Sequence, residues 1–256
     1  MHPYILVGPR IVIDSWKAMM VLAFLAGNLV AWIELRQSMG RGRALAFVLL
    51  MSWGALFGAH LAHLLLHWGE HQGTHFDALI TFWKDGHSFF GALAFCGLLM
   101  LVVVKLVPGT DLWKTADAFA LGAPLGLFFA RLGCYLKGCC WGIPVQENQL
   151  FHGFSYKLIE NQYTALHPVQ LYSAAAALAV FVLLLWVRER RIPGTVLGAF
   201  CLLYGTKRFL LEFYRGDTRG GSLLGFLSIH QEISLLLVFG SIIFLAQRWR
   251  RNRARA

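Results

Sequence analysis

Charge is what this chain has least of. Across 256 residues only 14% are Asp, Glu, Lys or Arg, whereas 57% are hydrophobic and the mean hydropathy is +0.58. A soluble domain carries about a quarter charged residues, so the deficit excludes a water-soluble enzyme and puts the chain in a bilayer. Also missing is the apolar/polar alternation over about ten positions that an outer-membrane barrel needs. Long Leu-rich runs stand in its place, and the expected fold class is all-α and polytopic. Acidic residues are the scarcer sign, 13 against 23 Lys and Arg, for a net charge of +10. The basic residues fall between apolar runs and in a short Arg tail, which suits loops at an anionic membrane surface and excludes a nucleic-acid groove reader. Neither an internal repeat nor a low-complexity linker divides the chain, so residues 1–256 are expected to form a single transmembrane helical domain. The first apolar run ends in Trp32, Ile33 and Glu34, where a cleavage site needs small residues, and no cleavable signal is expected.

What the chain has is apolar length. A spanning helix needs about 20 predominantly apolar residues, and runs at about 17–34, 44–66, 88–106, 115–134, 168–187, 194–214 and 227–247 predict seven transmembrane helices. The connections holding Arg36, Arg41 and Arg43, Lys105 and Lys114, Arg188, Arg190 and Arg191, and the tail from Arg248 to Arg255 carry thirteen basic residues in short segments. The opposite connections carry seven over longer stretches. Basic loops are retained in the cytoplasm, so the N-terminus is expected outside and the C-terminus inside. The one long non-spanning segment, about 134–167, then lies on the outer side, and loops of that length are usually functional.

Ionisable residues inside spans are costly and usually functional. Given this topology, Arg131, Lys207, Arg208, Glu212, His87, His167, His230 and Glu232 all gather at outer-leaflet depth, with Asp117 alone near the inner end of its helix. Arg208, Glu212 and Arg215 follow at spacings of four and three, which places them on one helical face. A structural ion pair locking the sixth helix is one reading. Arg131 at matching depth favours another, since two guanidinium groups can grip a phosphodiester bidentately and a lipid phosphate is the anion available there.

Two further concentrations stand out. His60, His63, His67 and His71, with His75 beyond, recur along one helical face, as either a transition-metal site or a polar helix end facing a hydrated cavity. No carboxylate or thiol pattern completes a metal signature around them, and the polar helix end is the preferred reading. Cys134, Cys139 and Cys140 follow the fourth helix in GCYLKGCCWG. There Cys134 has the reach to pair with Cys139 or Cys140 in an oxidising compartment, and Arg131 and Lys137 are expected to lower thiol pKa values. The spacing differs from paired Cys-x-x-Cys zinc knuckles, and no metal or other cofactor is assigned.

Three blocks together resemble the bacterial prolipoprotein diacylglyceryl transferase family. DAFALGAPLGLFFARLGCYLKGCCWG at 117–142 is similar to the family signature, HPVQLY at 167–172 to its His-Pro-x-Gln-Leu-Tyr block, and YGTKRFLLEFYRGD at 204–217 to its Tyr-Gly-x-x-Arg-Phe-x-x-Glu-Phe-x-Arg block. The specific motifs lie in the second half, with looser similarity in the first. Departures mark a divergent member. Ala130 replaces a signature Gly, Cys134 stands where Asn is usual and Cys139 where Glu is usual. Phe90 takes a histidine's place in HSFFGAL at 87–93, and Trp16 and Lys17 stand where Tyr-Gly is common.

The resemblance implies a seven-helix, multi-pass protein of the bacterial inner membrane. It also implies an activity at the outer leaflet: transfer of the diacylglyceryl group of phosphatidylglycerol to the lipobox cysteine thiol of a secreted lipoprotein precursor or related thiol acceptor, releasing glycerol phosphate. Arg131 and Arg208 would hold the phosphate, Glu212 would orient Arg208, and His87 or His167 would take the thiol proton. Gln170, Tyr172, Gly142, Arg215, Cys134 and Cys139 would line the substrate site. One alternative keeps the fold, a membrane thiol-redox or thiolate-using lipid enzyme built on the three cysteines; another is non-enzymatic, a membrane protein that binds or transports metal through the His60 to His75 face.

Overall fold

The structure is a computed structural model that describes residues 4–7, 11–66, 89–145, 156–159, 162–189, 192–216 and 225–254. Among them are seven helices: α1 (Ser15–Met39), α2 (Arg41–Leu66), α3 (Phe89–Leu106), α4 (Leu112–Lys137), α5 (Val169–Arg188), α6 (Thr195–Glu212) and α7 (Ile229–Arg253). Each overlaps one of the seven expected runs. Five of them, α1, α2, α4, α5 and α7, are long and apolar enough to cross a membrane. The described apolar part of α3, Gly91–Leu106, is shorter, and α6 carries Lys207, Arg208 and Glu212 within its 18 residues. Large apolar side chains such as Leu25, Leu49, Leu98, Val182, Leu236 and Ile243 stand exposed along the helices, as on proteins whose solvent is lipid.

The architecture is not purely helical. Two antiparallel hairpins accompany the helices: β1 (Tyr4–Val7) with β2 (Ile11–Asp14), Tyr4 opposite Asp14, and β3 (Tyr156–Ile159) with β4 (Gln162–Ala165), Tyr156 opposite Ala165. The second hairpin lies inside the segment expected to be an outer loop. Strands of four residues are too short for alternation to stand out from a mostly apolar background.

The chain divides into two compact units, one drawn from Met1–Val30 and Ala116–Ala256, the other from Ala31–Thr115. In the second unit α2 and α3 pack through small residues. A Cβ added at Gly91 would strike Ala62 and the Gly58 carbonyl, while Phe57 and Phe95 meet edge to face at 5.4 Å. His60 is almost fully buried and His63 half-buried on α2. His67, His71, His75, His87 and Phe90 lie outside the residues whose side chains are described.

The first unit holds a core of Ala120 and Leu121 from α4, Val180 and Leu184 from α5, and Val196 and Ala199 from α6. Helices in lipid gain little from the hydrophobic effect and associate through close backbone approach. Gly122 and Gly126, spaced as in a GxxxG motif, provide that approach on α4. A Cβ at Gly122 would run into the Gly27 carbonyl of α1, and one at Gly126 would lie 3.1 Å from the Ala23 carbonyl.

Asp117, also on α4, explains how α6 is held. Its two carboxylate oxygens accept from the Gly194 and Leu197 amides at 2.6 and 2.7 Å. These are orphan donors at a helix start, where a negative charge is also favourable. Gly194 adopts φ +91° there, and Arg248 of α7 donates to the adjacent Pro193 carbonyl at 2.8 Å. The one intramembrane charge expected away from the others is thus an anchor for the helix that carries most of them.

Candidate active site

Three short backbone segments join the helix ends that carry the polar residues. Gly142 donates to the His167 carbonyl at 3.1 Å, His167 returns a bond to Ile143 at 3.0 Å, and Ile143 donates to Tyr214 at 3.0 Å. Gly216 closes the set by donating to Trp141 at 3.2 Å, and Gly142 bridges Arg215 in antiparallel fashion. The exit of α4, the entry of α5 and the exit of α6 are therefore sewn together. Gly142 is needed for this contact, because a Cβ there would come within 2.6 Å of the His167 carbonyl and Val169 and 2.7 Å of the Tyr214 carbonyl.

Beside this seam the helices line a small pocket with Arg131 of α4, Gln170 and Ser173 of α5, Tyr204, Lys207 and Arg208 of α6, and Cys140 and Arg215 beside them. Four cationic side chains thus face one small space. Arg208 is held by Glu212, with Nη1 and Oε2 2.5 Å apart, and Arg215 Nε lies 3.9 Å from the same oxygen. The other carboxylate oxygen accepts from the Ser228 hydroxyl at 3.2 Å. Ser228 is in turn the N-cap of α7 in a capping box with Gln231, so α7 braces the ion pair. Lys207 donates to Ser173 at 3.3 Å and lies 5.2 Å above the Tyr204 ring.

Arg131, Gln170, Arg208 and Arg215 are therefore brought together as expected, although Arg215 reaches the cluster differently. Helix α6 ends at Glu212, and Arg215 sits in the backbone seam rather than on a continued helical face. His167 and Tyr172 stand beside that seam and not in the pocket lining. His167 Nδ1 and the Tyr172 hydroxyl are 3.1 Å apart, and both rings meet Tyr214 edge to face at 5.5 and 6.4 Å. His87 lies outside the described residues. Sequence reasoning left Ser173 unmentioned, quoted Tyr204 only as the start of a motif block, and gave Lys207 and Cys140 no place in the site. Spacing from the motif residues could have placed Ser173 and Tyr204, since Ser173 lies three after Gln170 and Tyr204 four before Arg208.

Gln170 is 1% exposed, and its Nε2 donates to the Cys139 carbonyl at 2.7 Å while its Oε1 has no partner among the described residues. All five cysteines are free thiols. Cys134, Cys139 and Cys140 cluster with their sulfurs within 4.8 Å of one another. The expected lowering of thiol pKa fails at Cys139. Hydrogen bonding with the Cys134 thiol first, then with Cys140, and then burial hold it well above the ordinary thiol range. Lys137, expected to help, lies over the Trp16 ring instead. An activated thiolate at Cys139 loses its basis. Among the described residues the close group of metal-type donors is this thiol cluster, and of the histidine face only His60 and His63 are described.

Comparison with known proteins shows the family. The family model described as "Prolipoprotein diacylglyceryl transferase" matches residues 3–247. Relatives named phosphatidylglycerol–prolipoprotein diacylglyceryl transferase include one from Clostridium tetani, 33% identical over 170 residues, covering 66% of this chain and 67% of the relative. Another, from Solidesulfovibrio magneticus, is 30% identical over 244 residues, covering 89% and 88%. A third, from Rhodopseudomonas palustris, is 28% identical over 270 residues, covering 96% and 89%. With a match running through all three pocket-forming helices and both ends of the backbone seam, this membrane protein belongs to the prolipoprotein diacylglyceryl transferase family.

Proposed function

We propose that this protein transfers the diacylglyceryl group of phosphatidylglycerol to a cysteine thiol of a prolipoprotein, with the pocket of α4, α5 and α6 as its active site. The observation that carries the reading is the convergence of Arg131, Lys207, Arg208 and Arg215 on one pocket, with Glu212 paired to Arg208 and Arg215. Such an excess of positive charge at low dielectric calls for an anion, and the phosphodiester of the donor lipid is the anion that the relatives' name supplies.

Transfer to sulfur requires that the bond between the diacylglyceryl carbon and the phosphate oxygen break as the carbon–sulfur bond forms. Charge then builds on the departing glycerol phosphate. Arg131 and Arg208 are preorganised to offset it, the kind of electrostatic term that often dominates such catalysis. Glu212 acts as a positioning residue: paired to Arg208 and tied to Ser228, it holds the guanidinium aimed before substrate arrives. The acceptor thiol must lose its proton to attack. Among the described residues His167, oriented by Tyr172, is suited to take it, and His87 is the second candidate. Gln170 and Gly142 shape the wall of the substrate site.

In the membrane the reading has seven spanning helices in one domain. The N-terminus and the 134–167 segment lie outside, the C-terminus lies inside, and the pocket sits at the outer leaflet of the bacterial inner membrane. The basic connections support that orientation. The test is Arg208→Ala, assayed with phosphatidylglycerol vesicles and a lipobox peptide, together with complementation of cells depleted of their own diacylglyceryl transferase. Loss of transfer by about 100-fold or more is expected, the scale for removing one transition-state donor. Retained turnover with folded protein overturns the assignment.

A further inference from the structure

The proposed transfer uses none of the three clustered thiols as a reacting group. We propose that Cys134, Cys139 and Cys140 form a binding site for one thiophilic cation of filled d shell, monovalent copper in trigonal coordination being the form that needs no ligand beyond the three sulfurs.

The chain builds this cluster at a backbone cost. Cys134 lies in the last turn of α4, and its carbonyl accepts from the amides of Gly138 and Cys139 at 3.0 and 3.1 Å, so the helix closes on itself. Gly138 takes φ +77°, and Cys140 takes φ +60°. A residue with a Cβ pays for that left-handed conformation. The two reversals turn the sulfurs of residues five and six positions beyond Cys134 back towards it. The Cys139 thiol donates to the Cys134 carbonyl at 3.7 Å, which keeps its sulfur turned towards the group.

The dimensions suit a metal. With metal–sulfur bonds of about 2.3 Å, a trigonal site has sulfur–sulfur edges of roughly 4 Å. The sulfurs here already lie within 4.8 Å of one another, so no edge has to shorten by more than about 1 Å to reach that geometry. Thiolate donors select monovalent copper, zinc and similar ions. Each thiol entering the coordination sphere releases its proton to water, and no electrons move. Three thiolates around a monovalent ion leave a net charge of −2, which Arg131 and Arg215, lining the adjoining pocket with Cys140, offset. Zinc would need a fourth ligand, supplied by solvent.

Occupancy would act on the neighbouring pocket. The Cys139 carbonyl holds the buried Gln170, and the chain passes from Cys140 through Trp141 to Gly142 and the backbone seam. An ion clamping the cluster stiffens that wall from α4 to α5.

The experiment uses the full-length, detergent-solubilised protein, reduced and purified without oxygen. It is titrated with monovalent copper against a chromophoric copper chelator and, separately, with zinc against a zinc chelator. Thiolate-to-metal charge-transfer absorption and elemental analysis report binding. One copper per chain is expected, held more tightly than zinc, with a higher unfolding temperature on loading. Cys134→Ser, Cys139→Ser and Cys140→Ser should each weaken binding by about 100-fold, given that loss of a mere outer-shell partner costs 10–100-fold. Cys201→Ser should leave it unchanged. Unfolding temperatures of the metal-free variants separate lost binding from lost folding. Substoichiometric binding, equal binding by the triple Ser variant, or a disulfide among the three in protein isolated without reductant overturns the site. Tighter zinc than copper overturns the trigonal assignment.

Discussion

Removing the Asp117 carboxylate tests the claim that an anchor far from the pocket holds α6 in place. In Asp117→Ala, two amide bonds of 2.6 and 2.7 Å to a carboxylate are lost at once. Hydrogen bonds to charged groups contribute about 1.5–3 kcal/mol each, so the variant should lose about 3–6 kcal/mol. Asp117→Asn keeps one accepting oxygen but turns an NH2 towards the other amide, and should lose at least half as much. For a protein of this size roughly 1 kcal/mol moves the unfolding midpoint by 2–4 °C, which puts Asp117→Ala about 6 °C or more below the wild type. Gly194 and Arg208 are 14 residues apart, roughly 21 Å along the helix, so the substitution does not touch the pocket directly. Lipid KM should therefore stay constant while the active fraction falls with temperature. The assay is thermal unfolding in detergent followed by transfer kinetics at a permissive temperature. A shift under about 2 °C, or a changed KM with unchanged stability, would refute the reasoning.

Further substitutions test the pocket itself. Arg208→Lys keeps the charge but loses the planar fork, and its transfer rate should fall between those of the wild type and Arg208→Ala. Arg131→Ala should cost about 100-fold in transfer while helix content by circular dichroism is unchanged. Glu212→Gln keeps an acceptor for Ser228 but releases Arg208 and Arg215. A fall in kcat per folded molecule of about 10–100-fold, or roughly 1.4–2.7 kcal/mol of barrier, is expected, together with a lower unfolding temperature because two buried guanidiniums lose their counter-charge. Gly142→Ala forces the seam apart and should lower stability by about 1–3 kcal/mol. Its transfer activity should drop further than the unfolded fraction alone explains, as measured by activity per folded molecule.

The elements that were legible in advance are those written in local composition. An apolar run of about 20 residues has no stable alternative in a bilayer but a helix, so the seven helices were readable as helices, five of them long and apolar enough to cross a membrane, and spacing together with matching depth marked Arg131, Arg208 and Glu212 as a set. The parts that were not legible rest on partners distant in sequence. The backbone seam joins residues 141–143, 167 and 214–216, segments with no periodicity of their own. Asp117 looked like a stray charge because its partners, Gly194 and Leu197, lie 77 and 80 residues away.

The thiols show the same limit most clearly. Sequence proximity to Arg131 and Lys137 pointed to lowered pKa values. The fold instead sends Lys137 over Trp16 and turns the sulfurs towards one another, so that mutual hydrogen bonding and burial hold the Cys139 thiol in its neutral form. By itself the sequence determined a helical membrane protein and the chemical types gathered in its motif blocks, because hydrophobicity and helical spacing act over a few neighbouring residues. Only the tertiary structure decided which charges share a pocket, which one merely anchors a helix, and that three cysteines meet, because pairing and burial depend on what the fold brings within a few ångströms.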